Sequence, residues 1–327
     1  MLKRGFTLIE LLVAMGLLSV VLLFVFQTFT YQHSTYTVVD QVSEAHQTSQ
    51  GAARLIERDV RNAGYMIPFA AAACGIDATD GPDILFVSDT DAIQPADLLP
   101  VELASLELGA DADESDNPAS ATETTIDVDK VVVDEVATYD SDANGTNDSD
   151  FRVGAGAILV DKGELDRGVA CGIVTAVDIV SPFAVTVDWL SVLEAGAASE
   201  LVLVPAHVYQ VVGGNPPQLE RDGTLLAKDV EDLQIAWFYD DDENREVDTD
   251  EVRGVNGNDY DSSDVDGSEL RELRINLVTR TRLDDPRNPD DAGVGQAREN
   301  RDTNVPGDDG KHRRVHTATV FLRNLTL

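Results

Sequence analysis

The chain begins with a long and nearly uninterrupted apolar stretch. After a short start that contains Lys3 and Arg4, apolar residues dominate from Phe6 to Phe29, and Glu10 is the single charged residue among them. As a helix, these roughly 24 residues would extend about 36 Å, which is enough to cross the hydrocarbon core of a bilayer. A carboxylate at that depth is costly and is kept where a partner neutralises it. The pattern therefore predicts a membrane-embedded helix with one functional acid.

The apolar stretch continues into a segment whose apolar residues recur every three or four positions, the spacing of one helical face. Gly64 stands where a C-terminal cap is expected. The sequence therefore predicts one helix of about 58 residues, roughly 87 Å long. Residues 6–30 form its membrane half and residues 31–64 its amphipathic half. The periodic positions are Val38, Val42, Ala45, Ala52, Ile56, Val60 and Ala63.

The remainder of the chain, residues 65–327, has the pattern of a β-rich head. Short runs of Val, Ile and Leu, several of them alternating with polar residues, are separated by Gly, Asp, Asn and Pro. We expect an antiparallel sheet packed on the amphipathic half of the helix, an α+β fold, with surface loops at 107–124 and 284–312. The predicted strands are 84–88, 125–139, 157–162, 169–180, 184–190, 200–212, 233–239, 270–282 and 314–324.

Charge and composition exclude some functions. The formal net charge is -36 and the pI is near 4.1, which argues against binding to nucleic acid. Such a surface suits a solvated exterior that resists aggregation, or a saline one in which cations screen the repulsion. The sequence has no Gly-x-Ser-x-Gly elbow, phosphate-binding loop or Cys/His nucleophile pattern, so we expect no enzyme.

Two features bear on the compartment. Lys3 and Arg4 are the only lysine or arginine residues before Arg54, so the positive-inside rule places the N-terminus in the cytoplasm and exports the rest. The chain has two cysteines, Cys74 and Cys171. In an exported domain this even count predicts one disulfide between them, and their spacing does not indicate a metal site.

The segment Gly5-Phe6-Thr7-Leu8-Ile9-Glu10 resembles the class III leader of type IV prepilins. The resemblance implies that residues 1–5 are a leader, that prepilin peptidase cleaves after Gly5, and that Phe6 becomes the N-methylated first residue. It also implies that Glu10 pairs with the N-terminal amine of a neighbouring subunit during assembly. The implied fold is pilin-like, with the head packed on the long helix. The other interpretation of this segment is an ordinary single-span anchor with an incidental Glu.

The C-terminal third is similar to PilW-type minor pilins, and the similarity covers residues 1–66 and about 228–327. It implies a non-enzymatic subunit that primes or supports assembly of a type IV pilus, with adhesion as a further role. Its partners would be other minor and major pilins, prepilin peptidase and the inner-membrane assembly platform. The subunit would cross the inner membrane once and then move to the pilus at the cell surface. A J-class pseudopilin of type II secretion is the nearest alternative.

Two acidic loops have oxygen ligands at the alternating positions that calcium prefers. The first loop lacks the bidentate Glu at its twelfth position, and the second has this Glu but lacks the glycine at its turn. A membrane-tethered, calcium-dependent binding module is therefore a further alternative, and such spacing also arises by chance in an acidic chain. The candidate ligands are Asp140, Asp142, Asn144 and Asp148 in the first loop, and Asp240, Asp242, Asn244 and Glu251 in the second.

Overall fold

A computed structural model shows a long N-terminal helix and an antiparallel β head. The chain divides into two compact units, Met1–Glu44 and Ala45–Leu327. The structure describes residues 7–65, 67–78, 81–89, 92, 110–112, 124–127, 130–131, 150–178, 184–194, 201–242, 244, 246–255, 258–284 and 310–322.

The helix α1 (Leu8–Asn62) confirms the prediction of a single long helix. It is 55 residues long, because no proline interrupts the sequence and its two glycines, Gly16 and Gly51, are isolated. Gly64 has a φ of 77°, a left-handed conformation that glycine adopts without steric cost. The predicted glycine end of the helix is therefore confirmed.

The head consists mainly of β-strands, joined by turns and short 3-10 helices. The strand predicted at 270–282 shows the expected alternation of apolar residues, because Leu273, Ile275 and Leu277 all lie in one hydrophobic cluster. The strands are β1 (Ala73–Ile76), β2 (Ile84–Val87), β3 (Ala110–Ala112), β4 (Thr124–Asp127), β5 (Lys130–Val131), β6 (Gly156–Asp161), β7 (Val169–Asp178), β8 (Ala184–Trp189), β9 (Leu201–Val212), β10 (Gln218–Arg221), β11 (Thr224–Lys228), β12 (Val230–Tyr239), β13 (Val252–Arg253), β14 (Leu270–Arg280) and β15 (Arg313–Phe321).

The described strands form two sheets whose neighbours are antiparallel. The larger sheet has the order β1-β2-β9-β6-β7-β8-β4, with β10 and β3 also pairing with β9, β11 with β10, and β5 with β3. The smaller sheet has the order β13-β12-β14-β15. The prediction of an antiparallel head is confirmed by these pairings.

The second half of α1 lies in the main core of the head. Ile56 and Val60 are fully buried, in a cluster that includes Leu85 and Tyr209 of the larger sheet and Leu273 of the smaller sheet. Burying one such aliphatic side chain contributes roughly 1.5–3 kcal/mol. The helix is therefore part of the head's hydrophobic core and is not merely attached to its surface.

Two predictions differ in detail from the structure. Within the strand expected at 125–139, the described residues belong to two strands with different partners, since β4 pairs with β8 and β5 pairs with β3, and residues 128–129 and 132–139 lie outside the described residues. The loop expected at 107–124 contains β3, which pairs with β9. Ala110–Ala112 is recruited by a long neighbouring strand, a tertiary effect that its own composition does not signal. The predicted loop at 284–312 falls mostly outside the described residues.

Candidate functional site

The N-terminus of α1 is organised around Glu10. Thr7 precedes the helix, and its backbone N–H and its hydroxyl both donate to Glu10 Oε2, at 3.0 Å each. In return, the backbone N–H of Glu10 donates to Thr7 Oγ1 at 3.3 Å. This reciprocal pair is a capping box, in which two otherwise unsatisfied backbone donors of a helix start are satisfied. Thr7-x-x-Glu10 could have been recognised in the sequence, so Glu10 has a local role in addition to any role in assembly.

Glu10 lies on a helix surface that is apolar and uncovered. All residues from Thr7 to His33 are exposed, and they include large side chains such as Leu17, Phe24 and Phe29. Of the described residues, only α1 is a helix long and apolar enough to cross a membrane. An apolar surface of this extent requires lipid or other protein chains around it. Gly5 and Phe6, the residues expected at the processing site, lie outside the described residues.

A buried ionic cluster fixes the second half of α1 in the head, and sequence analysis missed it. Asp59 has no exposed surface. The hydroxyl of Tyr209 donates to Asp59 Oδ2, Arg221 Nη2 lies 2.8 Å from the same oxygen, and Arg58 Nη2 lies 2.9 Å from Oδ1. Burial, together with the neighbouring carboxylate of Asp59, raises the pKa of Tyr209 far above its ordinary value. Tyr209 therefore remains a neutral donor, and the carboxylate charge is balanced by arginine.

A second buried carboxylate, Asp83, connects the two sheets. Its backbone N–H donates to Leu233 O at 2.8 Å, and its Oδ2 accepts the backbone N–H of Ile235 at 2.7 Å. Both of those residues belong to β12, whereas Asp83 directly precedes β2. Burial raises the pKa of Asp83 to about 8, against the opposing effect of N–H bonds from Ala78 and Ile235. No feature of the local sequence distinguishes Asp83 from the many other acids of this chain.

The two cysteines meet inside the larger sheet. The Sγ atoms of Cys74 on β1 and Cys171 on β7 are bonded, and the two residues are 97 positions apart in the sequence. Both are completely buried. Such a link closes a long loop and restricts the unfolded chain, an effect of about 4–5 kcal/mol at most.

The structure brings part of the second acidic loop together. Ligand oxygens of Asp240, Asp242 and Glu251 lie within 4.8 Å of one another. Several of these oxygens already have partners: Glu251 accepts the backbone N–H groups of Asp241 and Asp248, and Asp240 Oδ2 lies 3.2 Å from Arg271 Nε. The three carboxylates are thus close enough to share a cation, but backbone and guanidinium donors already bind some of their oxygens.

The remaining predicted ligands are less favourable for binding calcium. Asn244 directs its amide nitrogen to Asp242 Oδ2 at 2.9 Å. Asp241, a neighbouring acid that was not among the predicted ligands, is held by Arg253 at 3.0 Å, and its pKa is raised chiefly by burial. The ligands proposed in the first loop, Asp140, Asp142, Asn144 and Asp148, lie outside the described residues.

Comparison with known proteins identifies the start of the chain. Residues 1–26 match the family model described as the prokaryotic N-terminal methylation motif. A type IV-like pilin from Thermus thermophilus is among the similar solved structures, with 13% identity and a TM-score of 0.22, covering 54% of this chain and 90% of that protein. No curated protein matches.

The motif coincides with the exposed first part of α1. It occupies the start of the chain and the first turns of this helix. Its apolar helix continues into an antiparallel β head. The chain therefore combines an N-terminal methylation motif, a long apolar helix and an antiparallel β head.

Proposed function

We propose that this protein is a minor pilin that primes or supports assembly of a type IV pilus. One observation carries the proposal: a methylation motif leads into an exposed apolar helix, whose continuation is locked into a folded head. The exposed part supplies the surface that lipid covers before assembly and that neighbouring subunits cover afterwards. The folded part supplies the surface of the pilus. In this proposal the protein is a substrate of prepilin peptidase and has no catalytic role of its own.

The processing part of the proposal assigns Gly5 and Phe6. Cleavage after Gly5 would remove both basic residues and leave the apolar helix at the start of the mature chain. The test is mass spectrometry of the protein isolated from its source organism, which should give N-methylated Phe6 as the first residue. A mature chain that begins elsewhere, or that has lost the apolar segment, contradicts the proposal.

The assembly part assigns Glu10, whose charge would be neutralised by the N-terminal amine of a neighbouring subunit. The capping box makes a sharp test available, because glutamine caps a helix nearly as well as glutamate but carries no charge. Glu10→Gln should be processed normally and fail to enter sheared pili. Thr7→Ala removes the capping hydroxyl but keeps the charge, so it should still be incorporated. The reverse result, an incorporated Glu10→Gln and an excluded Thr7→Ala, would assign Glu10 to capping alone.

A pseudopilin of type II secretion would share the same N-terminus. Deletion of the gene separates the two functions: loss of surface pili with normal protein secretion supports the pilus, and the opposite result supports the secretion system. The proposal also places the N-terminus of the precursor in the cytoplasm. Protease protection in membrane vesicles, with the head on the outer side of the inner membrane, tests that orientation.

A calcium-dependent binding module is the second candidate function, favoured by the clustered oxygens of Asp240, Asp242 and Glu251. Isothermal titration of the full-length protein with calcium tests it, with Glu251→Gln as the variant that removes one ligand. Absence of binding at millimolar calcium removes this candidate and leaves the pilin assignment untouched.

A further inference from the structure

The outermost strand of the smaller sheet, β15, has an unusually regular edge. It pairs with β14 at nine consecutive positions, from Arg313 to Phe321, with no bulge. The opposite outer strand, β13, has two residues, and β1 at the margin of the larger sheet has four. Natural sheets protect their edges with short strands, bulges, prolines and charges. Residues 315–321 of β15 have none of these, and no strand in the described parts of the chain covers their outer side.

The direction of the main-chain groups follows from two hydrogen bonds at the ends of the strand. Thr281 N–H donates to His312 O, and Leu322 N–H donates to Arg271 O. Alternate residues of an antiparallel strand bond to the same neighbour. The even-numbered residues of β15 therefore face β14, whereas the backbone N–H and C=O groups of its odd-numbered residues face outward. We call the outward groups of Val315, Thr317, Thr319 and Phe321, together with the Arg314 side chain, the open edge.

The open edge lies in the basic segment of an acidic chain. Residues 311–327 include three arginines and one lysine but no Asp or Glu, although the net charge of the chain is -36. Arg313 is neutralised by Glu231, with nitrogen–oxygen distances of 2.7 and 3.0 Å. Arg314 is exposed, and its guanidinium has no ion-pair partner among the described residues. The edge therefore combines outward hydrogen-bonding groups with an unbalanced positive charge.

The opposite edge of the same sheet is acidic. Residues 240–251, which precede β13, contain seven described acids and form what we call the acidic loop. Asp242, Glu246, Asp248 and Asp250 in this loop are exposed. One sheet thus presents positive charge at one margin and negative charge at the other.

We propose that the open edge of β15 binds the acidic loop of a second copy of this chain. Outward N–H groups donate to oxygens of the loop, and Arg314 pairs with one of its carboxylates, an interaction stronger than a neutral hydrogen bond. The two surfaces in contact, the open edge of one copy and the acidic loop of the other, are different. In a pair, one copy therefore still has a free acidic loop and the other a free open edge, and each can bind a further copy. A contact of this type repeats in one direction and forms open chains rather than closed dimers. The inference goes beyond the proposed function, because it concerns contacts between heads and does not depend on Glu10.

Sedimentation velocity of the full-length protein in detergent micelles tests the proposal. The wild type should associate in a concentration-dependent manner at low salt, and added sodium chloride should weaken the association. Arg314→Glu should weaken it about tenfold, because it replaces attraction with repulsion. Arg152→Glu makes the same charge change at an exposed position before β6 and should leave association unchanged.

Two further variants separate the contact from folding. Thr319→Pro removes one outward N–H, a change that an edge strand tolerates, and should weaken association several-fold, whereas Thr319→Ala should not. Combining Arg314→Glu with Asp248→Arg and Asp250→Arg restores opposite charges and should restore association. The proposal is overturned by a wild type that does not associate, by association that is equal in Arg314→Glu, or by association only with a different filament subunit.

Discussion

The two halves of α1 each contain a carboxylate in apolar surroundings, and the surroundings differ completely. Glu10 lies in the half whose surface is exposed, and its partners are the backbone and hydroxyl of Thr7, three residues away. Asp59 lies in the half that belongs to the head's core, where Tyr209 donates a hydrogen bond to it and Arg221 balances its charge, both from 150 or more residues away in sequence. The charge of Asp59 is satisfied within one chain, whereas in the proposed assembly the charge of Glu10 is neutralised by another molecule.

The comparison shows how one continuous helix can serve two purposes. From Thr7 to His33 no residue is buried, whereas Ala52, Ile56 and Val60 have almost no exposed surface. Substitutions in the second half should therefore change the stability of the head, and substitutions in the first half should change membrane insertion and assembly.

Urea denaturation of the full-length protein in detergent measures the free energy of unfolding of the head. The head contains two buried tryptophans, Trp189 and Trp237. Their fluorescence changes when water reaches them, so it reports the transition.

Replacing Asp59 should have the largest effect. Asp59→Ala leaves Arg221 and Tyr209 without their buried acceptor, and removing one partner of a buried pair costs about 3–5 kcal/mol. Asp40→Ala replaces an exposed acid of the same helix, so it is the matched control and should change stability by less than about 0.5 kcal/mol. Equal effects of the two substitutions would show that the buried partners of Asp59 do not set its contribution to stability.

Deleting a core side chain should have the next largest effect. Ile56→Ala creates a cavity between the helix and the sheets and should cost about 2–4 kcal/mol. Leu17→Ala removes a side chain of similar size from the exposed half and should leave the urea midpoint unchanged. A shift of the midpoint in Leu17→Ala would mean that the first half also supports the fold of the head.

The pH dependence of stability should reveal Asp83. Its pKa is near 4 in an unfolded chain and about 8 in the fold, so the folded state disfavours the ionised form. The stability associated with Asp83 is therefore fully present below pH 4 and is lost as the pH rises towards 8. Asp83→Asn cannot ionise, so the unfolding free energy of the wild type minus that of the variant should fall progressively over that window. Asp188→Asn, at an exposed strand position, should show no such trend.

The smallest effect on the head is expected at Glu10. Glu10→Gln should leave its unfolding free energy within about 0.5 kcal/mol of wild type, because the residue contacts only Thr7 in the described structure. The Glu10→Gln variant should nevertheless be absent from pili. Destabilisation of the head by Glu10→Gln would show that assembly defects at this position need no intersubunit partner.

The sequence was sufficient for features that depend on local pattern. The helix was predicted because its apolar residues change from a continuous run to a spacing of three and four, and β14 because its apolar residues alternate. Two local signals were missed. Thr7-x-x-Glu10 is a capping signature. Asp222-Gly223, which has φ values of 53° and 70°, is the two-residue turn of the hairpin β10–β11.

Features that depend on distant partners could not be predicted in this way. Asp59 and Asp83 are two of 60 acidic residues, and only the folded chain shows that arginine, tyrosine or backbone donors enclose them. The two-residue strand β13 is likewise defined by the longer strand β12 beside it. The candidate calcium ligands combine a local and a distant feature. The spacing of the second loop was visible in the sequence, but the donors of Arg271 and Asp248, which compete with calcium for the carboxylate oxygens, were not.

The position of the second half of α1 has a mechanical consequence. In the proposed pilus, tension along the filament would act along the helices of its subunits. The force would reach each head through the residues that hold the second half of α1. Ile56 and Val60 share their core with both sheets, and Asp59 is held by charged and hydroxyl groups from the larger one. Extraction of the helix must therefore shear these contacts together instead of unzipping one strand at a time, so the head should resist tension better than its sheets alone would.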